Sequence, residues 1–479
     1  MRIADRGSRN DQPPVINAAS RTARRLFSPF AFFLFGSLLF FGCQGNSTPS
    51  PPHLPDGVMN LSKSTALSIG PQIALSGNSV YVVWQEHTGG QNMEVFLSRS
   101  GDGGTTFDAP INVSQSSSFS GNPKIAVSGN LIYVVWEEFV SDRNDTDIFF
   151  REAEDQNGSF VWAPPLDAPG KNLSLSPPVC GTPGNKTGPC PSQEPAVVAF
   201  GDNVFVAWGE ATDYLISPVT VGQSATQFTL LNSEILFTHS TNRGADFTPS
   251  PAVISGPKPS SICGADAPQT PSLNPTLAAA DGHLYIAWED CTRPKSKVLF
   301  RRLPDPTGSF TPPLSQDPTI LSGSINGSNR PELAAEGDRV YLLWEGFPFP
   351  EESNTCPVLG GSAPNSEILL IRSLNQGATF TSTDDLPQTN LSNNACSSND
   401  GKIAVSDGSI HVVWMDNTPG LAGLVYRKST DNGATFSPAV NIQGSGSAAN
   451  PSITASSNTL FTTWEDATLG NLEVVFTKK

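Results

Sequence analysis

The sequence predicts an all-β chain assembled from one repeated four-stranded unit, and three observations predict it. An apolar strand ending in tryptophan recurs seven times: "VYVVWQE" at Trp84, "IYVVWEE" at Trp136, "VFVAWGE" at Trp208, "LYIAWED" at Trp288, "VYLLWEG" at Trp344, "HVVWMD" at Trp414 and "LFTTWED" at Trp464. An eight-residue box also recurs, as "SGDGGTTF" from Ser100, "STNRGADF" from Ser240, "SLNQGATF" from Ser373 and "STDNGATF" from Ser429, with looser copies "DQNGSF" from Asp155 and "DPTGSF" from Asp305. Between these, short Val, Ile, Phe, Tyr and Trp runs are bounded by Gly, Asn, Ser and Pro, and few stretches carry a helical apolar period. A catalytic site is rarely copied so often in one chain, whereas a structural unit is, and repetition of this kind marks propellers and solenoids.

The order of elements within a repeat follows from turn chemistry and periodicity. A short strand, as in "PQIALSGN" from Pro71 or "PKIAVSGN" from Pro123, precedes the tryptophan strand. Gly77-Asn78, Gly129-Asn130 or Asp407-Gly408 joins the two as a tight hairpin. A third strand follows, as in "EVFLSRS" from Glu94, "EILFTHS" from Glu234 and "EILLIRS" from Glu367; then comes the box, then a fourth strand such as "INVS" from Ile111. Four antiparallel strands per repeat make one propeller blade. In "VYVVW", Val80, Val82 and Trp84 face one way and Tyr81 and Val83 the other, so both faces need cover, which neighbouring blades supply. The last repeat stops at "LEVVFTKK", without a fourth strand, and "VMNLSKST" from Val58 matches the fourth-strand segments at Asn112, Asn172 and Asn390. The two termini are therefore expected to share a blade and so remove exposed edges. The expected fold is a seven-bladed β-propeller, or a six-bladed one if a tryptophan repeat is irregular.

The box resembles the Asp-box of the sialidase-like propellers, the bacterial neuraminidase repeat, whose pattern is S-x-D-x-G-x-T-F/W. Ser100, Asp102, Gly104, Thr106 and Phe107 fit it in full, as do Ser429, Asp431, Gly433, Thr435 and Phe436. At Asn242 and Asn375 the acid is an amide, which accepts backbone hydrogen bonds but cannot act as a general base. The box is therefore expected to be a turn, with glycine supplying positive φ and phenylalanine anchoring the hairpin in its blade. The resemblance spans nearly all of residues 58–479. It implies the fold and little about activity, because propellers host many functions. Family sialidases clamp the substrate carboxylate with three arginines, attack with a tyrosine assisted by a glutamate, and use an aspartate acid/base. They are usually six-bladed and carry an Arg-Ile-Pro motif before the first box. Here no arginine lies between Cys43 and Arg99. Arg99, Arg151, Arg301, Arg372 and Arg427 fall beside the boxes, on the face opposite the family's active site. Arg143, Arg293 and Arg330 are expected in loops of the other face, and Tyr214 outside any strand. These four are the candidate ligand-binding residues, and no catalytic set emerges.

The N-terminus reads as a targeting segment. Arg21, Arg24 and Arg25 precede the apolar run Leu26–Cys43, and a polar, Pro-rich linker follows. The run resembles a bacterial lipoprotein signal with Cys43 as the lipidated residue; an uncleaved anchor is the other reading. Both readings export the remainder, to the outer membrane or cell surface, with the N-terminal lipid or anchor as its membrane attachment. The domain division is 1–43 targeting segment, 44–57 linker and 58–479 propeller. Six cysteines remain, and their loop positions suggest the pairs Cys180–Cys190, Cys263–Cys291 and Cys356–Cys396, all on the face away from the boxes. The formal charge of −16 argues against nucleic acid.

The residue two after the strand tryptophan is acidic in six repeats (Glu86, Glu138, Glu210, Asp290, Asp416 and Asp466), and Glu94, Asp147, Glu234, Glu367 and Glu473 open third strands. Such oxygens could hold Ca²⁺, most readily in "DRNDTD" from Asp142, but no loop has EF-hand spacing, and bonding to backbone amides explains them. No other cofactor and no metal site is expected: the histidines are scattered, and no nucleophile elbow or phosphate loop occurs. The sequence reads as an exported, lipid-anchored, monomeric binding or assembly module for a glycan or protein ligand. The rival reading is a sialidase-like exo-glycoside hydrolase.

Overall fold

A computed structural model describes residues 53–479 except 91, 142–144, 176–189, 219–225, 257–269, 291–295, 307, 324, 326, 348–364, 382–388, 395, 419–421 and 443–447. The chain divides into Met1–Cys43 with Leu215–Thr229, and Gln44–Tyr214 with Leu230–Lys479; the fold described below is that of the second unit. Among the described residues it contains strands and no helix.

Four kinds of strand recur. First strands are Ser68–Ser76, Ser120–Ser128, Ser192–Phe200, Thr270–Ala280, Asn329–Glu336, Ser398–Ser406 and Ala448–Ser456. Each is hairpinned to a tryptophan strand: Ser79–Gly89, Leu131–Val140, Asn203–Pro218, His283–Asp290, Arg339–Gly346, Ser409–Asp416 and Thr459–Asp466. Third strands are Asn92–Ser100, Asp145–Gln156, Thr226–Ser240, Lys297–Leu303, Glu367–Ser373, Gly423–Ser429 and Glu473–Lys478. Two-residue fourth strands complete the sheets. The last repeat takes its fourth strand from the other end of the chain: Met59–Asn60 pairs with Glu473–Lys478, Met59 opposite Phe476 and Asn60 opposite Val475. The third and fourth repeats are joined into one eight-stranded sheet by a short parallel bridge, Asn232 opposite Thr270 and Ser233 opposite Pro271. First strands of successive repeats touch one another in order, and that of the last repeat touches that of the first.

The core lies between repeats rather than within them. Val80, Val82 and Trp84 pack with Leu61, Phe461, Val474 and Phe476 of the closing repeat. Tyr81 and Val83, on the other face of the same strand, pack with Ile132, Val134 and Trp136 of the next. The same division recurs along the chain, and every strand tryptophan is buried in such an interface. This is why these strands are apolar at consecutive positions: both faces meet a neighbour.

The full boxes are turns held by their own side chains. Ser429 Oγ donates to Asp431 Oδ1 at 2.8 Å and accepts from Gly433 N at 2.9 Å; Asp431 Oδ1 accepts from Thr435 N at 2.9 Å and Oδ2 from Thr435 Oγ1 at 2.6 Å. The Ser100 box repeats this. Where the acid is an amide, Asn242 and Asn375 keep the acceptor bonds through Oδ1, and the amide nitrogen donates instead, to Asp246 Oδ2 and Thr379 Oγ1. The threonine bonds hold the Asp431 carboxyl well below its usual range. Glycine is required twice over: Gly104 has φ 76°, and a Cβ there would lie 2.6 Å from the Phe476 ring.

One expectation about the boxes is extended and another is corrected. The box phenylalanine packs against a cluster that holds the tryptophan-strand residues of its own repeat, and it also meets the preceding repeat edge-on, Phe107 on Phe476 and Phe247 on Phe150 at 4.9 Å, and Phe380 on Phe300 at 5.1 Å. The box is thus a clasp between repeats. The looser copy at Asp155 is not a box at all. Asn157 and Gly158 form the turn of a hairpin with the extra strand Ser159–Ala163, and Asp155 accepts bonds from Tyr81 and Arg99 of the preceding repeat. In this repeat and in the one with "DPTGSF", fully buried arginines bind the following loop by its carbonyls. Arg151 donates to Pro164, Pro165 and Ala168, and Arg301 to Pro312, Pro313 and Gln316.

Two outcomes are expected. Removing Asn471–Lys479 deletes a third strand and unseats Met59–Asn60, so that variant should aggregate or melt far below the parent; a soluble, cooperatively melting deletion would contradict the closure. Asp431→Asn should imitate the natural Asn375 box. A carboxyl with a depressed folded pKa contributes stability above its unfolded pKa and loses it as pH falls. Any deficit of D431N at neutral pH should therefore close below about pH 4, whereas Ser429→Ala, which strips a buried amide of its acceptor, should cost about 1–3 kcal/mol at every pH. Melting curves across pH check both.

Candidate functional site at the bulges of the first strands

Every first strand carries a bulge near its start, with one residue in the left-handed region: Gly70, Asn122, Glu194, Asn274, Arg330, Asp400 and Asn450. A bulge re-aims the chain and frees one amide from the ladder. In six of the seven that amide is taken up by the preceding repeat, most loosely for Arg330 N, 3.5 Å from Glu289 Oε2. Gly70 N donates to Glu465 Oε1 at 2.7 Å, Asn122 N to Gln85 Oε1 at 2.6 Å, Glu194 N to Glu137 Oε1 at 2.6 Å, and Asp400 N to Glu345 Oε1 at 2.7 Å. The acceptor is in each case the residue immediately after the strand tryptophan. Gly209 occupies that place in the third repeat, and there the bulge residue itself substitutes: Asn274 N donates to Glu194 Oε2 at 2.7 Å. Bulge side chains also hold the acceptor of their own repeat, Asn122 on Glu137 at 2.8 Å and Asn450 on Glu465 at 2.7 Å. The bulges lie at the end of the sheets away from the boxes, whose backbone rests on the hairpin turns at Asn78, Asp202 and Asp338.

Burial raises the carboxyl pKa values in this relay, because protein replaces water around the charge. Glu137 is pushed up to about 7, and Glu194 and Glu465 are raised for the same reason. Two residues beyond the bulges, Lys124, Glu332 and Lys402 occupy equivalent first-strand positions. Lys402 pairs with Glu332. Among the described residues the Lys124 ammonium makes no hydrogen bond or ion pair; burial, then the Lys402 charge, lowers it to about 8, with Glu332, Glu137 and Glu194 acting in the other direction.

The acids that the sequence singled out have other work. The carboxylate two residues after the tryptophan accepts the indole N–H: Trp84 to Glu86 at 3.0 Å, Trp136 to Glu138 at 2.8 Å, Trp208 to Glu210 at 3.0 Å, Trp288 to Asp290 at 3.3 Å, Trp414 to Asp416 at 2.8 Å and Trp464 to Asp466 at 3.1 Å. The third-strand acids accept serine hydroxyls of the fourth-strand segments, Glu94 from Ser114, Glu367 from Ser392 and Glu473 from Ser62. Side-chain donors thus take more of these acids than the expected backbone amides do. No group of three or more His, Cys, Asp or Glu that could hold a metal ion occurs among the described residues.

Of the four candidate ligand residues, Arg143 and Arg293 lie outside the described residues. Tyr214 lies in the strand Asn203–Pro218, not outside a strand. Arg330 is no loop residue either: it is the bulge of Asn329–Glu336, and its guanidinium bonds Glu345 at 3.1 Å and Asp400 at 2.5 Å. Burial works against its charge, but these two carboxylates hold it on. Cys190 and Cys396 are fully buried and disulfide-bonded; Cys43, Cys180, Cys263, Cys291 and Cys356 lie outside the described residues, so the pairing does too. Sequence reasoning missed the relay. Its signal is the polar residue after the tryptophan combined with the Ser-x-x-Pro start of most first strands.

No protein-family model matches the chain, and no curated protein matches it. Among solved structures, a polysaccharide lyase of family PL25, an ulvan lyase bound to -[GlcA(1-4)Rha3S]-, is similar over 87% of this chain and 93% of its own, at 11% identity and a TM-score of 0.53. The chain and the lyase share a fold, all-β and β-propeller-like. A protein of unknown function from Dyadobacter fermentans aligns over 88% of this chain and 99% of its own, at 10% identity and a TM-score of 0.47. A Trypanosoma rangeli sialidase mutant displaying trans-sialidase activity aligns over 88% of this chain, which spans 59% of that protein's length, at 13% identity and a TM-score of 0.43.

Glu137→Gln tests the relay's electrostatics, since Gln85 already fills the equivalent place in the first repeat. A carboxyl raised from 4.5 to about 7 contributes stability below its unfolded pKa that is lost as pH rises through the folded value. E137Q should fold normally and lose part of the parent's decline in stability between about pH 4.5 and 7. Denaturant titrations at several pH values read this directly, and an unchanged pH slope would contradict it.

Proposed function

We propose that this chain is an exported, seven-bladed β-propeller, anchored through Cys43, that serves as a non-catalytic binding module for a glycan or protein on the face bearing the bulges. Counting each four-stranded repeat as a blade gives seven, with the blade completed by both termini closing the ring. The face away from the boxes is favoured because the long insertions and all six internal cysteines fall on that side in the sequence. Loops placed by a rigid scaffold are where recognition concentrates. The observation that carries the non-catalytic reading is how the charges of this face are used. Glu137, Glu194, Glu345 and Glu465 are acceptors for backbone amides, and Arg330 is held by two carboxylates. Among the described residues the Lys124 ammonium has no partner, which makes it the natural contact for an anionic ligand group. The saccharide held by the structurally similar lyase makes acidic glycans the first class to try.

Glu137 supports the hydrolase alternative, because a carboxyl titrating near 7 suits a general acid. A glycan array and a fluorogenic sialoside assay on the mature chain separate the two. Binding without turnover is expected, with Lys124→Gln weakening binding by about tenfold or more, the usual scale for a lost charged contact. Turnover that E137Q abolishes at an unchanged melting temperature would establish the hydrolase instead.

A further inference from the structure

We propose that the bulge-face end of the fifth repeat is a binding site for a small monocarboxylate, seated on Trp344 and Asn329 where six other repeats carry a carboxylate of their own. In those six the indole N–H meets the acid two residues on, and in four of them the same acid also takes a first-strand serine hydroxyl: Ser68 on Glu86, Ser192 on Glu210, Ser272 on Asp290 and Ser398 on Asp416. In the fifth repeat that position is Gly346. The donors remain. Among the described residues, Trp344 Nε1, in a residue 1% exposed, has no hydrogen-bond partner, and Asn329 Nδ2, in a residue 0% exposed, has none either. The two lie at one end of one sheet, since Asn329 pairs with Glu345, the neighbour of Trp344. Two buried donors lacking an acceptor are costly, and a bound anion removes that cost.

The repeat's own carboxylates do not supply the acceptor. Glu345 accepts the Asp400 amide and the Arg330 guanidinium. Glu367, opposite Gly346, accepts the Ser392 hydroxyl and the Asn365 amide. A second carboxylate beside a third-strand acid is a standard feature of this fold: Glu86 stands opposite Glu94, Glu138 opposite Asp147 and Asp466 opposite Glu473. The size of the ligand is limited. A Cβ on Gly346 would lie 2.5 Å from Leu369 Cδ1, 3.3 Å from Trp344 Nε1 and 3.5 Å from Ile325 Cγ2, so a ligand enters only as the Leu369 side chain turns aside, which limits it to a small head group. Formate is the smallest carboxylate. The inference rests on the repeat comparison and is independent of the proposed function.

The test is thermal melting of the full exported protein in sodium formate against sodium chloride at equal ionic strength, with the indole N–H resonances followed by NMR. Formate should raise the melting temperature saturably and shift one indole N–H. Trp344→Phe keeps the ring but removes the donor, and should abolish both effects. Gly346→Asp, which supplies the carboxylate in place, should be insensitive to formate. No formate-specific change in the parent would overturn the proposal, as would a response that survives in W344F; W344F decides the matter even if G346D fails to fold.

Discussion

The interaction on which the rest depends is the hydrogen bond from the amide freed at a first-strand bulge to an acceptor in the preceding repeat. A bulge in a buried strand is tolerable only if its orphaned N–H is paired. For Gly70, Asn122, Glu194 and Asp400 the pairing partner is a side chain one residue past a buried tryptophan, and for Asn274 it is the bulge residue Glu194, so at these junctions one repeat satisfies the backbone of the next. Glu194 and Arg330 sit in the left-handed region, where a side chain costs of order 1 kcal/mol or more. A hydrogen bond to a charged group, at about 1.5–3 kcal/mol, outweighs that. The box phenylalanines do the same work at the opposite face, each reaching into the repeat before it. Between the two lies an apolar cluster at every junction, filled by a tryptophan. Polar relay, apolar cluster and aromatic clasp all cross junctions, which explains why a single repeat has no core of its own.

The same economy bears on function. Carboxylates are abundant at the bulge face, yet backbone and side-chain donors of the fold engage them. Their burial raises the pKa of several, which would ordinarily suggest chemistry, but structural networks perturb pKa values too. At the bulge face, Trp344 lacks the acceptor that the indoles of six other repeats have, and Lys124 lacks the ion pair that Lys402 makes at the equivalent position.

Much of the architecture was legible because it is repeated. Seven copies of the tryptophan strand made burial of both faces plain, and the agreement between "VMNLSKST" and the internal fourth-strand segments located the partner of the last third strand. The amide copies at Asn242 and Asn375 identified the box as a turn. The site was less legible, for physical reasons. Arg330 is expected in a loop, but it is the bulge residue of a strand that continues through the proline after it. Tyr214 extends a strand beyond its acidic terminator. At Asp155 the spacing to phenylalanine survives, while moving the glycine by one place converts the box into a two-residue hairpin. The relay itself was hidden because its acceptor varies among Gln, Glu, Gly and Met, and only geometry shows the shared role.

That variation also provides the most direct test. Met415 fills the acceptor position of the sixth repeat, so among the described residues the bulge amide of Asn450 has no side chain to receive it, whereas those of Gly70, Asn122, Glu194, Asn274 and Asp400 do. Residue-resolved amide hydrogen exchange under native conditions should find those five amides protected to a similar degree and Asn450 exchanging much faster. Equal protection at Asn450, or fast exchange at all six, would contradict the account that these amides tie one repeat to the next.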